Sequence, residues 1–302
     1  MKKVLITGAN GLLGQKLIAL ISGNKNYQLI ATARGVDRVG SDGSYQYEEL
    51  DITKQADVER VLGNIKPDFI IHTAAMTNVD QCESEREGCT LLNVTATEYL
   101  VKAAEKINSF FIHLSTDFIF DGTKGPLTEE DVPNPISYYG QSKLDAEKII
   151  MACKTRWAIA RTVLVYGIVK DMSRTNIVLW VKKSLEDKKT INVVDDQWRT
   201  PTLAEDLAMG CFLIMEKQAT GVFNISGKDM LTPYEMAQQT ADFFKLDKSY
   251  INKADSSTFT QPAKRPPRTG FVIEKAKSIL GYQPHSFVEG IQVMIKQMEK
   301  KA

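Results

Sequence analysis

Tyr139 and Lys143 stand four residues apart in the run Tyr139-Gly140-Gln141-Ser142-Lys143, just after a Pro133-Asn134-Pro135 turn. The residues that follow, to Met151, have helical character, so the two side chains share one face, one turn apart. A phenol titrates at about 10, and a nearby ammonium favours the phenolate and draws that value toward neutrality. Such a pair suits a tyrosine that hands a proton to a carbonyl as hydride arrives. The same spacing also arises on ordinary amphipathic helices, so the pair acquires meaning only from its surroundings.

A second group lies near the start, in Gly8-Ala9-Asn10-Gly11-Leu12-Leu13-Gly14. It falls between an apolar run, Lys3 to Thr7, and a helical pattern, Leu12 to Ser22, with Leu13, Leu17, Leu20 and Ile21 on one side. Glycines there permit a tight turn and let backbone N–H groups approach a diphosphate at the helix N-terminus. The spacing is G-x-x-G-x-x-G rather than the standard G-x-G-x-x-G, and a plain turn is the alternative. Roughly 20 residues on, an acidic residue at the end of the second strand would bind the ribose hydroxyl of NAD. Here the run is Ala31-Thr32-Ala33-Arg34, and Arg34, helped by Arg38, suits the 2′-phosphate of NADP. Asp37 nearby argues the other way, and a solvated loop arginine is the bland reading.

These residues need strands and helices to hold them. Apolar runs read as strands at Gln28–Thr32, Tyr45–Leu50, Asp68–Thr73, Phe110–Ser115 and Trp157–Val165. Helical patterns at about Lys54–Ile65, Glu87–Ile107 and Tyr138–Met151 fall between them. The alternation predicts an α/β, doubly wound parallel-sheet Rossmann fold with helices on both faces. After Tyr166 the pattern loosens. Helices are expected at Asn176–Glu186, Thr232–Phe244, Glu274–Leu280 and Phe287–Lys300, with strands at Thr190–Val194 and Gly221–Ile225. The long loop Asn252–Thr269 is the kind that often carries function. The expected division is a cofactor domain over 1–166, with 196–216 returning to it. A smaller α/β substrate-binding region takes 167–195 and 217–302.

With 302 residues, 43% apolar and 25% charged, the chain is long enough for one large or two modest cores. A net charge of +1 offers no general surface for nucleic acid or membrane. The apolar start is too short for a signal peptide, and no run approaches the roughly 18 apolar residues of a membrane span. Cys82, Cys89, Cys153 and Cys211 have no metal-like spacing with the histidines and read as reduced thiols in the cytoplasm. His72 and His113, in apolar strands, read as core or cofactor-adjacent. Trp180 reads as packing, and Trp198, in a polar loop, as a weak base-stacking candidate.

Together the segments resemble the extended short-chain dehydrogenase/reductase superfamily, and within it the dTDP-4-dehydrorhamnose reductase family. The similarity rests on Gly8–Gly14, His72–Asp80 with Glu83, Ser115–Gly122, Tyr139–Leu144 with Glu147, Arg161–Gly167, Asp196-Gln197 with Pro201-Thr202, and Arg265-Pro266. The resemblance implies an NAD(P)H-dependent reductase of a 4-keto nucleotide-sugar, with NADP preferred and NAD open. Thr116 would hold the substrate carbonyl, Tyr139 would donate the proton, and Lys143 would lower the tyrosine's pKa and bind the nicotinamide ribose. Gly8, Asn10, Gly11, Leu12, Leu13, Gly14 and Arg34 would hold the cofactor's phosphates. Asp51 and Ile52 would meet the adenine, and Ala74 and Ala75 the diphosphate path. Asn93 sits in the helix that would brace the catalytic strand, a structural role. Asn176 and Arg265 would contact the substrate's diphosphate, with Lys264 and Arg268 adding charge, and Thr77 and Asp80 would face the sugar. Dimers are common in the superfamily, so a homodimer is open.

Two departures bear on the substrate. Leu164 stands where these reductases usually carry tryptophan, and Trp198-Arg199 stands where a glycine is expected in Gln-x-Gly-x-Pro-Thr. An epimerase or dehydratase that retains its cofactor is a second reading. A non-catalytic subunit like the regulatory subunit of methionine adenosyltransferase is a third.

Overall fold

Apolar strands with both faces buried can only be stable between layers of helix, and the N-terminal half is built that way. The computed structural model describes residues 1–171 and 175–299. In chain order the N-terminal elements are β1 (Lys2–Thr7), α1 (Leu12–Ile21), β2 (Tyr27–Ala33), β3 (Gln46–Glu49), α2 (Gln55–Ile65) and β4 (Phe69–His72). Next come α3 (Val79–Ser84), α4 (Arg86–Thr90), α5 (Ala96–Ile107), β5 (Phe110–Thr116), α6 (Tyr138–Met151) and β6 (Trp157–Thr162). The remaining elements are β7 (Val165–Tyr166), α7 (Ile177–Glu186), β8 (Ile191–Val194), β9 (Thr202–Leu203), α8 (Ala204–Lys217), β10 (Gly221–Asn224), α9 (Pro233–Phe244), β11 (Ile251–Ala254) and α10 (Phe287–Glu299).

Seven strands form one parallel sheet in the order β10-β6-β5-β4-β1-β2-β3. Alternate side chains sort to its two faces. Val4, Ile6, Phe69, Ile71, Phe110 and Ile112 meet α1 and α8 on one. Leu5, Ile30, Ile70, Phe111 and Ile159 meet α2, α5 and α6 on the other. The strand order reverses between β1 and β4, the place where such sheets open a ligand crevice beyond their carboxyl ends.

The smaller region packs β8 and β11, a parallel pair, against α7 and α9 through Val181, Leu185, Val193, Ala237 and Ile251. Tyr166, Val178, Met236, Phe287 and Met294 join α10 to it. Thr232 caps α9 with a reciprocal Glu235 contact, and Pro233 opens its first turn.

Several expectations are modified. Gly221–Asn224, expected in the substrate region, is β10 and pairs with β6 at the edge of the main sheet. The expected strand Trp157–Val165 breaks after Thr162, and Leu164 adopts φ +35° between β6 and β7. That conformation is costly for a residue with a Cβ. The expected helix Glu87–Ile107 contains a π-helical stretch, Leu91–Thr95, and starts one residue earlier, at Arg86. Lys300, the expected end of the last helix, lies outside the described residues. No helix among the described residues is long and apolar enough to cross a membrane.

Candidate active site

The glycine loop leaves β1 at the strand-order reversal. Gly8 has φ +72°, and a Cβ there would lie 2.8 Å from the backbone nitrogen of Ala74. A Cβ on Gly14 would lie 2.4 Å from the Gly8 carbonyl oxygen, so the first turn of α1 is pulled against the loop. Gly11 is the N-cap of α1, and no side chain caps that end. The N–H groups of Leu12, Leu13 and Gly14 therefore point into a cradle that only glycines keep open. Ala74 lies at the same end, tied by its N–H to the Thr7 hydroxyl at 3.4 Å, and Ala75 follows it, half-buried.

Asn10 has a role that its position in the loop did not reveal. Its amide donates to the Val36 carbonyl and its oxygen accepts from the Arg38 N–H, both at 3.0 Å. It thereby staples the segment carrying Arg34 to the glycine loop. Asp37 is taken up by its own loop. It accepts from the N–H groups of Val39 and Ser41 at 2.9 and 3.1 Å and from the Tyr45 hydroxyl at 2.8 Å. Arg34 is exposed beside Glu49 and Asp51. Asp51 accepts from the Thr53 N–H and hydroxyl, at 3.1 and 2.6 Å. Burial opposes ionisation of Asp51, but these bonds and the nearby Lys54 and Arg34 outweigh it and hold its carboxyl below the usual range. Ile52 is buried beneath.

Tyr139 and Lys143 lie on α6 as the spacing predicts, both buried. Thr116 ends β5 beside Tyr139. The Thr116 hydroxyl also donates to Asp117 at 3.1 Å and accepts from the Phe118 N–H at 3.2 Å, so it is a turn cap as well. Gly140 explains how phenol and threonine come so close. A Cβ there would fall 2.1 Å from the Phe118 carbonyl oxygen. Gly140→Ala must push α6 off the turn after Thr116, an overpacking cost of about 1–3 kcal/mol. Turnover in that variant is expected to fall at least about tenfold in kcat in protein that still folds.

Burial disfavours the charged form of both Tyr139 and Lys143. Burial pushes the phenol well above its usual value, and the Thr116 contact only partly offsets it. Burial likewise lowers Lys143 to about 8. Its amine is 3.1 Å from Nε2 of His113.

Buried polar ties hold α6 in place. Arg161 on β6 donates to Glu147 through Nε at 3.0 Å and Nη2 at 2.7 Å, with 3% and 0% of the two side chains exposed. Asn93 accepts from the Met76 N–H at 2.8 Å and donates to the Met76 carbonyl at 3.1 Å and the Ser142 hydroxyl at 3.0 Å. It thus braces the loop after β4 against α6. Cys82 and Cys89 pack with Tyr139 in the same cluster.

The expected substrate residues are arranged differently from the sequence picture. Arg265 forms a bidentate pair with Asp80, at 3.1 and 2.7 Å, so two of them satisfy one another and pin the long loop to α3. Asn176 caps α7, accepting from the Leu179 N–H at 3.1 Å and donating to the Gly167 carbonyl at 2.7 Å. Its amide is engaged within the fold. Thr77 is exposed after β4. Arg199, the basic residue at the expected glycine, is 5% exposed and no pocket cation. It donates to the carbonyls of Trp198 at 2.8 Å and Pro266 at 2.6 Å, and lies 3.7 Å from Asp117. Asp117 is also bonded to Thr269. Asp117 and Arg199 clasp the Pro266–Thr269 loop to the end of β5, a role the sequence pattern did not reveal because the partners lie far apart in the chain. Arg268 covers Trp198, with its guanidinium 5.6 Å from the ring centroid.

A glycine-cradled crevice at the strand-order reversal, with tyrosine and lysine on the helix beside it, defines a dinucleotide-binding fold of the short-chain dehydrogenase/reductase superfamily. The family model described as RmlD substrate binding domain matches residues 1–300, and the chain belongs to that family. The dTDP-4-dehydrorhamnose reductase of Aggregatibacter actinomycetemcomitans is 29% identical over 304 residues, 97% of this chain and 98% of that one. Methionine adenosyltransferase 2 subunit beta of Xenopus tropicalis is 33% identical over 255 residues, 83% of this chain and 74% of that one. A crystal structure of a dTDP-4-dehydrorhamnose reductase from Clostridium acetobutylicum superposes with TM-score 0.87 at 28% identity, covering 98% and 99% of the two chains. One from Bacillus anthracis in complex with NADP gives 0.83 at 26% identity, covering 98% and 100%.

Proposed function

We propose that the chain is an NADPH-dependent reductase of a 4-keto nucleotide-sugar. The observation that carries this reading is the convergence of Thr116, Tyr139 and Lys143 at the carboxyl end of β5, beside the glycine cradle. The cofactor, when bound, supplies hydride. Thr116 orients the ketone oxygen, and the Tyr139 hydroxyl donates the proton that completes the alcohol. Lys143 offers its ammonium to the ribose and to the developing charge. The sheet residues over 1–166, with 196–216 and β10, form the cofactor half, and the remainder closes over the substrate. The four cysteines are outside disulfides, which suits the reducing cytoplasm.

The test is a panel of 4-keto nucleotide-sugars with NADPH. Stoichiometric NADPH oxidation and a new alcohol support the reading; no turnover with any member defeats it. Retained NAD with no net redox turnover would move the assignment to an epimerase or dehydratase. The similarity to methionine adenosyltransferase 2 subunit beta favours a second reading, a non-catalytic subunit of a synthetase, and stable co-purification with such an enzyme together with an inert Tyr139 would select it.

Arg34 is the residue on which we place cofactor choice. Losing one charge-assisted contact to a 2′-phosphate is worth about 1.5 kcal/mol, or about tenfold. In Arg34→Ala the KM for NADPH is expected to rise about tenfold and the KM for NADH to stay the same. Equal changes for both cofactors would count against that role.

A further inference from the structure

Three strands place polar side chains in one row across an otherwise apolar face. Thr7 pairs with His72 in register, and His72 with His113. The two imidazoles are 5.3 Å apart, centre to centre, and both histidines are 1% exposed. Around His72 each polar atom has a partner. Thr97 on α5 donates to the Asn93 carbonyl at 2.8 Å, so it accepts from Nε2 of His72 at 3.2 Å. Nδ1 of His72 is then bare, and the Thr7 hydroxyl donates to it at 2.7 Å. This row is a neutral polar chain with one direction.

His113 breaks that pattern. Its Nε2 is 3.1 Å from Nζ of Lys143, and its Nδ1 is buried without a partner. Among the described residues, His113 is the one hydrogen-bonding partner of the Lys143 amine. An ammonium has only donors, so the imidazole nitrogen facing it must be the bare one, and the proton must sit on the orphaned Nδ1. An orphaned buried donor is unfavourable and persists where the other nitrogen's bond outweighs it.

We propose that His113 is a positioning residue for the reduction, its Nε2 lone pair fixing the Lys143 ammonium on the face of α6 that Lys143 shares with Tyr139. The proposal rests on the reductase reading. Lysine has four rotatable bonds, and a buried ammonium without an acceptor would swing or lose its proton. The groups facing the pair are His72 on β4 and, beside Lys143, Glu147 and Cys89. Glu147 is engaged by Arg161, and His72 is held uncharged by burial, with its pKa lowered to about 3. Burial and the Lys143 charge likewise keep His113 well below its ordinary value. The ammonium-to-imidazole bond is therefore kept below about pH 8, where Lys143 is charged.

The experiment compares His113→Phe, which removes the acceptor, with His113→Gln, whose amide oxygen reaches the same place. His113→Phe is expected to lower kcat/KM and weaken NADPH binding about tenfold to a hundredfold, and His113→Gln to stay within about threefold of the parent. Nitrogen NMR of the unmodified protein is expected to show one neutral Nδ1–H tautomer of His113 from about pH 5 to about pH 7, where Lys143 is charged. An Nε2–H tautomer, a cationic imidazole in that range, or equal losses in the two variants would overturn the proposal. If His113→Phe does not fold, the tautomer and His113→Gln decide. NADPH titration needs no sugar, so an enzyme inert on every nucleotide-sugar sinks the reductase reading and leaves the His113 result legible.

Discussion

Tyr139→Phe is expected to fold, bind NADPH with unchanged affinity and lose about 10²–10⁴-fold in kcat. The ring is what packs, edge-on to Phe118 at 5.8 Å between centroids and against Cys82 and Cys89, and phenylalanine keeps it. Only the hydroxyl beside Thr116 disappears. Burial disfavours the charged forms of both Tyr139 and Lys143, raising one and lowering the other to about 8. A phenol held well above its usual value is fully protonated at neutral pH, which is the state that a reduction requires of its donor. Lys143 loses its charge as pH rises through about 8, so the reductase rate is expected to decline above that pH. Steady-state kinetics across pH, with NADPH binding measured separately, check both statements. Full activity in Tyr139→Phe would remove it from the proton-donor role.

Glu147→Ala is expected to produce the largest loss of stability. The carboxylate and the Arg161 guanidinium form a two-bond pair with essentially no exposure. Removing one partner leaves an unpaired buried charge, at a cost of about 3–5 kcal/mol. Phe120 lies against the guanidinium, 5.5 Å from ring centre to Cζ, so water cannot easily reach it from that side. Thermal unfolding is expected to show a drop in Tm of many degrees. Because Glu147 sits one turn beyond Lys143 on α6, the folded fraction should also show weakened turnover. Replacing both partners with apolar residues of similar volume should recover much of the stability, since the pair's desolvation cost disappears with it. A Tm within a degree or two of the parent would show that Arg161 finds another partner or water.

Much of the cofactor half was readable from order along the chain. Local patterns determined β1, the glycine loop, α1 and α6, because period, glycine spacing and apolar runs act over a few residues. The boundaries of α6 agree with those read from its sequence, Tyr138–Met151. The π-helical stretch inside Leu91–Thr95 was not visible, since it needs Asn93 to reach across to Met76 and Ser142. Membership of β10 in the main sheet was hidden for the same reason: four residues of strand do not say which neighbour they pair with.

By itself, the sequence determined that a dinucleotide cradle precedes a tyrosine–lysine pair on a helix, and that the chain resembles sugar-nucleotide reductases. Those features depend on residues adjacent in the chain. Only the tertiary structure decided which candidates are free to act. It joined Asp80 to Arg265, engaged Asn176 as the cap of α7, buried Arg199 beside Asp117 and set His113 against Lys143. The physical reason is that a charged or polar side chain is defined by its partner, and these partners lie far apart in sequence. Burial then sets the protonation of the Tyr139 and Lys143 pair, which no spacing of four residues contains.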